Sequence, residues 1–174
     1  MRVLLVKTSS LGDLIHTFPA LSDAVRTRPD IRFDWLVEEP FAEVPSWHPA
    51  VASVIPIALR RWRRDWRKAW RNGDLKAFRE RLRNADYDLV LDAQGLYKSA
   101  FAAMLARGPR AGFDRCSARE PLSVWTYHHR YPVARGQHAI ARIRQLFAAA
   151  LGYPVPDVPA DYGLRLSHVH DARV

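Results

Sequence analysis

The chain has 174 residues, of which 48% are hydrophobic, and it carries a formal net charge of +9 at pH 7. This length suffices for one domain with a substantial core, and the composition excludes disordered and fibrous proteins. The sequence contains no run of 18 consecutive apolar residues, so it predicts no membrane-spanning helix.

The first 25 residues predict a strand, a polar turn and a helix. Residues 2–6 form a short apolar run typical of a strand that is covered on both faces. The turn 7–13 contains a lysine, three hydroxyl side chains and Asp13, and residues 14–25 follow as an amphipathic helix. Polar groups at the carboxyl end of the first strand lie where α/β sheets hold their ligands. Asp13 is therefore either a carboxylate capping the helix or a general base for a substrate hydroxyl.

Residues 31–38 and 51–57 predict the second and third strands, with a short helix or turn over 41–47 between them. Residues 59–83 follow, with eleven Lys or Arg against three acidic residues, so this segment holds most of the net positive charge. The expected structure is a set of helical pieces broken at residues 72–74, where Asp74 is a suitable N-cap.

Three tryptophans, Trp62, Trp66 and Trp70, are spaced by four within this basic segment. On one continuous helix they would form a single stripe flanked by guanidinium groups. The stripe could pack on the core and leave a solvated cationic back. Alternatively it could bind phosphates, lie on a membrane surface or contact nucleic acid.

Residues 87–93 predict another strand, and residues 96–107 an alanine-rich helix. Lys98 and Ser99 fall in its first turn, where a lysine is unfavourable to the helix dipole unless it has a partner. Ser99 is either a cap or a solvated residue.

The last part of the chain predicts a brief strand at 110–114, a loop at 117–135 with one possible strand, and a helix at 137–151. His138 and Arg142 share a face of this helix and by themselves suggest a solvated pair. Arg119 and Glu120 suggest a surface ion pair. The pair at 128–129 lacks further ligands at metal-binding spacing, so no metal site is predicted.

Strands alternating with helices predict an α/β fold, a Rossmann-like parallel sheet with flanking helices. Residues 1–152 would form this domain, and the proline-rich residues 153–174 would be a linker leading to a second domain. Cys116 is the only cysteine, and the chain start lacks a secretory leader, so a cytoplasmic location is expected.

Four motifs together resemble the bacterial lipopolysaccharide heptosyltransferases. They occur at residues 6–21, 89–99, 118–122 and 138–142, and the resemblance runs from residue 2 to about residue 162. Within that family, the arginine run at 60–64 resembles the members that transfer heptose to a Kdo sugar attached to lipid A. The resemblance implies the amino-terminal, acceptor-binding half of a GT-B enzyme that works without a metal. No cofactor is implied, and the donor ADP-heptose would be bound mainly by a carboxyl-terminal domain.

The resemblance also implies roles for individual residues. Asp13 would be the general base in an inverting transfer, and it would share a cleft with the arginine cluster. The implied acceptor-binding residues are Ser9, Ser10, Arg60, Arg61, Arg63, Arg64, Gln94, Lys98, Arg119, His138 and Arg142.

The expected partners are Kdo-lipid A, ADP-heptose and the cytoplasmic face of the inner membrane, with no nucleic acid. Family members are roughly twice as long as this chain, so the chain alone is expected to be inactive. The alternative is a basic module that binds nucleic acid or a membrane surface without catalysis.

Overall fold

The computed structural model describes residues 1–164, which contain one six-stranded sheet. Its strands are Arg2–Val6 (β1), Arg32–Glu38 (β2), Val51–Ile57 (β3), Leu89–Asp92 (β4), Arg110–Phe113 (β5) and His129–Tyr131 (β6). All neighbouring pairs are parallel, in the order β3-β2-β1-β4-β5-β6. The strand order therefore reverses between β1 and β4, as in Rossmann-like folds. The predicted Rossmann-like parallel sheet is confirmed.

Helices cover both faces of this sheet. They are Leu11–Ile15 (α1), Phe18–Thr27 (α2), Leu59–Arg64 (α3), Trp66–Arg71 (α4), Asp74–Arg83 (α5), Tyr97–Leu105 (α6) and Ala139–Leu151 (α7); short 3-10 helices occupy Glu39–Phe41, Val44–Trp47 and Pro121–Thr126. Because strand side chains alternate, Val3 and Leu5 of β1 pack in the core shared with α2 and α7. Leu4 and Val6 pack in a second core shared with α5 and α6.

The helix predicted over residues 14–25 is in fact two helices. α1 begins four residues after the predicted polar turn starts, with Ser10 as its N-cap. Pro19 lies near the start of α2, and its ring nitrogen has no hydrogen to donate to the carbonyl of Ile15, so one continuous helix cannot form. Because α1 begins at Leu11, Asp13 lies inside its first turn rather than in a loop.

The basic segment forms three helices: the predicted break at residues 72–74 is confirmed, one further break is present, and the predicted cap by Asp74 is wrong. Asp65 caps α4 by accepting the Lys68 amide hydrogen at 3.0 Å, which ends α3 and adds a break. The cap of α5 is Gly73 at φ 78°, whereas Asp74 lies in the first turn and pairs with Arg61 at 2.7 Å.

The extra break separates the tryptophans, so they do not form one stripe. Trp62 of α3 is half-buried and packs on Phe78 of α5, with ring centroids 5.3 Å apart. Trp66 and Trp70 of α4 are 62% and 70% exposed. One indole therefore belongs to the core and the other two face solvent.

Residues 153–164 form no helix or strand and lie against the layer of α2 and α7. The guanidinium of Arg144 in α7 donates to the Pro156 carbonyl at 3.0 Å, and Arg26 of α2 pairs with Asp161 at 3.1 Å. The remainder of the predicted linker, residues 165–174, lies outside the described residues. Within residues 1–164 no helix is both long enough and apolar enough to cross a membrane.

Candidate active site

The candidate site lies at the carboxyl edge of the sheet, where the loops after β1 and β4 meet. Gln94 joins the two loops: its side-chain oxygen accepts the Thr8 and Ser9 amide hydrogens at 3.0 and 3.4 Å, and its nitrogen donates to the Ser9 carbonyl at 2.7 Å. The indole nitrogen of buried Trp35 donates to the Lys7 carbonyl at 2.9 Å. The loop that precedes Asp13 is therefore held at three consecutive residues.

The loop after β4 is fixed by a buried carboxylate. One oxygen of Asp92 accepts the amide hydrogens of Gln94 and Gly95, and the other accepts the Tyr127 hydroxyl at 2.6 Å. Gly95 sits at φ 67°, a backbone conformation that favours glycine. Burial raises the pKa of Asp92, and hydrogen bonds from Tyr127 and Gln94 oppose that shift. This arrangement orients Gln94 toward the opposite loop.

The carboxylate of Asp13 both caps a helix and faces a pocket. Its carboxylate accepts the Ser10 amide hydrogen at 3.2 Å, so the capping alternative is realised. The same carboxylate lies 3.7 Å from the Arg119 guanidinium, and 28% of its side chain remains exposed. It also lines a pocket of about 170 Å³. Capping therefore leaves the carboxylate accessible to a ligand.

Three cationic side chains, Lys7, Arg119 and Arg142, line the pocket with Asp13. Arg142 donates to the Ser117 carbonyl at 2.7 Å, and its guanidinium lies 5.0 Å from the Phe113 ring centroid. Its Nε is buried and has no hydrogen-bond partner among the described residues. Burial lowers the pKa of Arg142, and the charges of Arg135 and Arg119 add to that effect. The pocket is thus suited to an anionic ligand held beside a carboxylate.

Lys7 is the site residue that sequence analysis missed. It is only 5% exposed, and its ammonium donates to the Ala93 carbonyl at 2.9 Å. Burial lowers its pKa to about 8, although the charges of Asp13 and Asp92 favour the protonated form. The available sequence signal was a lysine immediately after a buried strand at the edge where ligands bind.

The lowered pKa of the Lys7 ammonium can be tested by titration. Its folded pKa lies below its unfolded value, so the unfolded chain binds more protons between about pH 8 and 10.5. This group therefore makes the free energy of unfolding rise with pH across that window. In the protein labelled with ¹³C at the lysine ε-carbons, we expect one resonance with a midpoint near pH 8. That resonance should be absent from Lys7→Met, and a wild-type spectrum in which all four lysines titrate above pH 10 would contradict the assignment.

The other predicted residues on this edge have structural partners. The Lys98 ammonium lies 3.0 Å from the Ser9 hydroxyl, which supplies the partner that a lysine in the first turn of α6 requires. Ser99 caps α6 by hydrogen bonding to Leu96. His138 caps α7, and its ring lies 5.5 Å from the ring of His16, centroid to centroid. His138 and Arg142 are thus not simply a solvated pair.

The four arginines of residues 60–64 do not line the Asp13 pocket. Arg61 is paired with Glu39 and Asp74, and with Arg64 it lines a separate pocket of about 260 Å³. The cause is topological: these residues follow β3, which lies two strands away from β1, or about 10 Å across the sheet. Acceptor binding by Arg60, Arg61, Arg63 and Arg64, and a wider cleft that they would share with Asp13, stay predictions.

The predicted ion pair between Arg119 and Glu120 is also wrong. Glu120 accepts the Tyr97 amide hydrogen at 2.5 Å at the start of α6, and Arg119 turns to Asp13 instead. Across residues 1–164, no group of three or more His, Cys, Asp or Glu side chains is arranged to hold a metal ion.

The fold and the pocket define a Rossmann-like domain with a cationic pocket beside a carboxylate at the switch point of its sheet. The sequence profile of glycosyltransferase family 9 (heptosyltransferase) matches residues 75–173. The chain belongs to this family, which confirms the resemblance found in its motifs.

Close relatives support this assignment. Lipopolysaccharide heptosyltransferase 1 of Pseudomonas aeruginosa is 60% identical over 173 residues, covering 99% of this chain and 49% of the relative. The solved structure of the E. coli heptosyltransferase WaaC with ADP is 53% identical, with a TM-score of 0.90 over 94% of this chain and 51% of that chain. WaaC with ADP-2-deoxy-2-fluoro heptose has the same identity and TM-score, over 93% and 52%. The chain thus spans about half the length of these relatives.

Proposed function

We propose that this chain is the amino-terminal, acceptor-binding half of a heptosyltransferase of lipopolysaccharide inner-core biosynthesis. The complete enzyme would transfer heptose from ADP-heptose to the Kdo sugar of Kdo-lipid A with inversion. Residues 1–152 would form the acceptor domain, and residues 153–174 would lead to the domain that binds most of the donor. Without that domain, the chain would bind acceptor but transfer no sugar.

The observation that carries this proposal is the position of Asp13 among three cations at the switch point of the sheet. Kdo bears a carboxylate, which Arg119 and Arg142 are suited to hold by charge-assisted hydrogen bonds. An Asp13 oxygen would then accept the proton of the Kdo hydroxyl. The hydroxyl oxygen would form a bond to the anomeric carbon of heptose on the face opposite ADP, and the bond between that carbon and the phosphate oxygen would break.

The remaining residues would extend the acceptor site around this centre. Ser9, Ser10 and Gln94 belong to the loops that position Asp13, and Lys98 and His138 lie at the starts of the two helices beside them. The exposed arginines Arg60, Arg63 and Arg64 would hold phosphates more distant from the reacting sugar. Because the acceptor is a lipid, the enzyme would work at the cytoplasmic face of the inner membrane.

The binding part of the proposal can be tested on this chain by calorimetry with a soluble Kdo-lipid A analogue. Replacing Arg119 or Arg142 by alanine should weaken binding about tenfold, because each removes a charged donor from the pocket. Arg26→Ala is the control, since that arginine is paired with Asp161 on the layer of α2. Equal affinities for all variants would contradict the proposal that this pocket binds the acceptor. Turnover of ADP-heptose by the 174-residue chain alone would contradict the expectation that it is inactive.

A further inference from the structure

Lys7 is the most deeply buried cation of the pocket that Asp13 lines, and the protein uses little of its hydrogen-bonding capacity. The residue is only 5% exposed, and a lysine is rarely buried to this extent without a partner for its charge. Among the described residues, its ammonium makes one hydrogen bond, to the Ala93 carbonyl at 2.9 Å. Since an ammonium has three N–H donors, two of them are not used by residues 1–164.

Arg142 supplies a second cation with an unused buried donor. Its Nε is buried and has no hydrogen-bond partner in the described part of the chain, although another nitrogen of the guanidinium donates to the Ser117 carbonyl at 2.7 Å. Lys7 follows β1 and Arg142 belongs to α7, yet both line the same pocket of about 170 Å³. Unpaired buried donors cost free energy, which a ligand that accepts hydrogen bonds from both residues would recover.

The charge of the pocket favours an anion as this ligand. The charged side chains that line it are Lys7, Asp13, Arg119 and Arg142, three cations and one carboxylate, with a formal charge of +2. The carboxylate of Asp13 accepts the Ser10 amide hydrogen and lies 3.7 Å from the Arg119 guanidinium. Asp13 is therefore engaged elsewhere, and the buried ammonium makes no direct contact with it.

Four charged groups act on the Lys7 ammonium from the elements around it. Asp13 of α1 and Asp92 of β4 favour its protonated form, whereas Arg119, in the loop after β5, and Arg142 of α7 oppose it. Burial has the largest effect and lowers the pKa of Lys7 to about 8. An anion bound beside the ammonium would favour the protonated form and raise this pKa again.

We propose that Lys7 determines specificity for an acidic acceptor sugar: its ammonium binds one oxygen of the sugar carboxylate, and Arg142 binds the other. This inference rests on the proposed function, to which it adds a residue and a physical reason for selecting an acid. A carboxylate has two acceptor oxygens and a charge that offsets the two cations, whereas a neutral sugar brings only hydroxyls. The acid would be held in the pocket that Asp13 lines, beside the proposed base.

Proton uptake on binding tests the inference on the wild-type chain, without any substitution. The 174-residue chain is titrated by calorimetry with a soluble Kdo-lipid A analogue, in buffers of different ionisation enthalpy. At pH 8 about half of the Lys7 side chains are unprotonated, so binding should take up about half a proton. At about pH 6 the ammonium is already formed, and the uptake by this group should be close to zero. Lys7→Met should abolish the uptake at pH 8.

A pair of ligands shows which group of the sugar Lys7 contacts. The second analogue has the Kdo carboxylate reduced to a hydroxymethyl group. Lys7→Met, which keeps the length of the side chain and removes its charge, should weaken binding of the acid about tenfold or more and binding of the alcohol less than about twofold. The control is Lys76→Met, because Lys76 of α5 is 81% exposed, and this variant should bind both analogues like the wild type. Circular dichroism checks that each variant is folded.

The inference is wrong if the wild type binds the acid at pH 8 without taking up a proton. It is also wrong if Lys7→Met weakens both analogues equally, as a lysine that only ties its loop to Ala93 would do. Proton uptake with ADP-heptose in place of the acceptor analogue would assign Lys7 to the donor and overturn the inference as well. In each of these cases acceptor binding by the wild type keeps the proposed function intact. If the wild type binds neither analogue, the proposed function fails, and this inference fails with it.

Discussion

Replacing Arg144 by alanine is expected to lower the free energy of unfolding by about 3–5 kcal/mol, as found when one partner of a buried ion pair is removed. Arg144 of α7 contacts Asp23 of α2 at 2.5 and 3.3 Å, and the two side chains are only 12% and 1% exposed. The same guanidinium also donates to the Pro156 carbonyl. Its removal would leave the Asp23 carboxylate buried without its cation. Urea denaturation followed by circular dichroism measures the change.

Two further variants test whether the cost of Arg144→Ala comes from leaving a buried charge unpaired rather than from losing any arginine. Arg26→Ala breaks the pair with Asp161, whose side chains are 47% and 58% exposed, so the expected cost is below about 1 kcal/mol. The double variant Asp23→Leu/Arg144→Met removes both charges and should recover most of the stability lost in Arg144→Ala. The account fails if Arg144→Ala costs no more than Arg26→Ala, or if the double variant is less stable than the single one.

The sheet could be predicted from sequence because its strands are apolar runs of the length that strands have. Five were located, and the sixth was expected only as one possible strand within residues 117–135. β1 and β3 were predicted with the bounds that the structure shows. The helix boundaries were less predictable where single residues decide them. Pro19 divides the first predicted helix. Asp65 ends α3 because its carboxylate accepts the Lys68 amide hydrogen and so caps α4. Apolar periodicity continues across both breaks, so periodicity alone could not reveal them.

The candidate site was predictable only in part, because its members come from distant parts of the chain. Asp13 could be identified because it follows a strand that ends at the switch point, whereas Gln94 was implied by motif resemblance. Arg119 and Arg142 came from motif resemblance, and the structure brings both into the pocket with Asp13. The position of the arginine cluster at 60–64 outside the Asp13 pocket could not be predicted, because the sequence does not reveal that β2 separates β3 from β1.

The largest effect on activity is expected from Asp13→Asn, measured in this chain joined to the carboxyl-terminal half of the Pseudomonas aeruginosa relative. The value of kcat should fall about 10²–10⁴-fold, the range that general-base catalysis provides, because an amide cannot take the proton of the acceptor hydroxyl. The KM for acceptor should change little, since asparagine has nearly the same size and Arg119 and Arg142 remain to bind the substrate. Steady-state assay of ADP release, with both substrates varied, gives the two values.

Asp13 also has a structural role, since it accepts the Ser10 amide hydrogen in the first turn of α1, and the control must separate this role from catalysis. Asparagine can still accept that hydrogen bond, so the melting temperature of Asp13→Asn should stay close to that of the wild type. Asp30→Asn changes an exposed carboxylate that pairs with the amino terminus, and it should leave kcat unchanged. If Asp13 were only a helix cap, Asp13→Asn would behave like Asp30→Asn. An unchanged kcat would therefore remove Asp13 from the chemistry and leave it a purely structural residue.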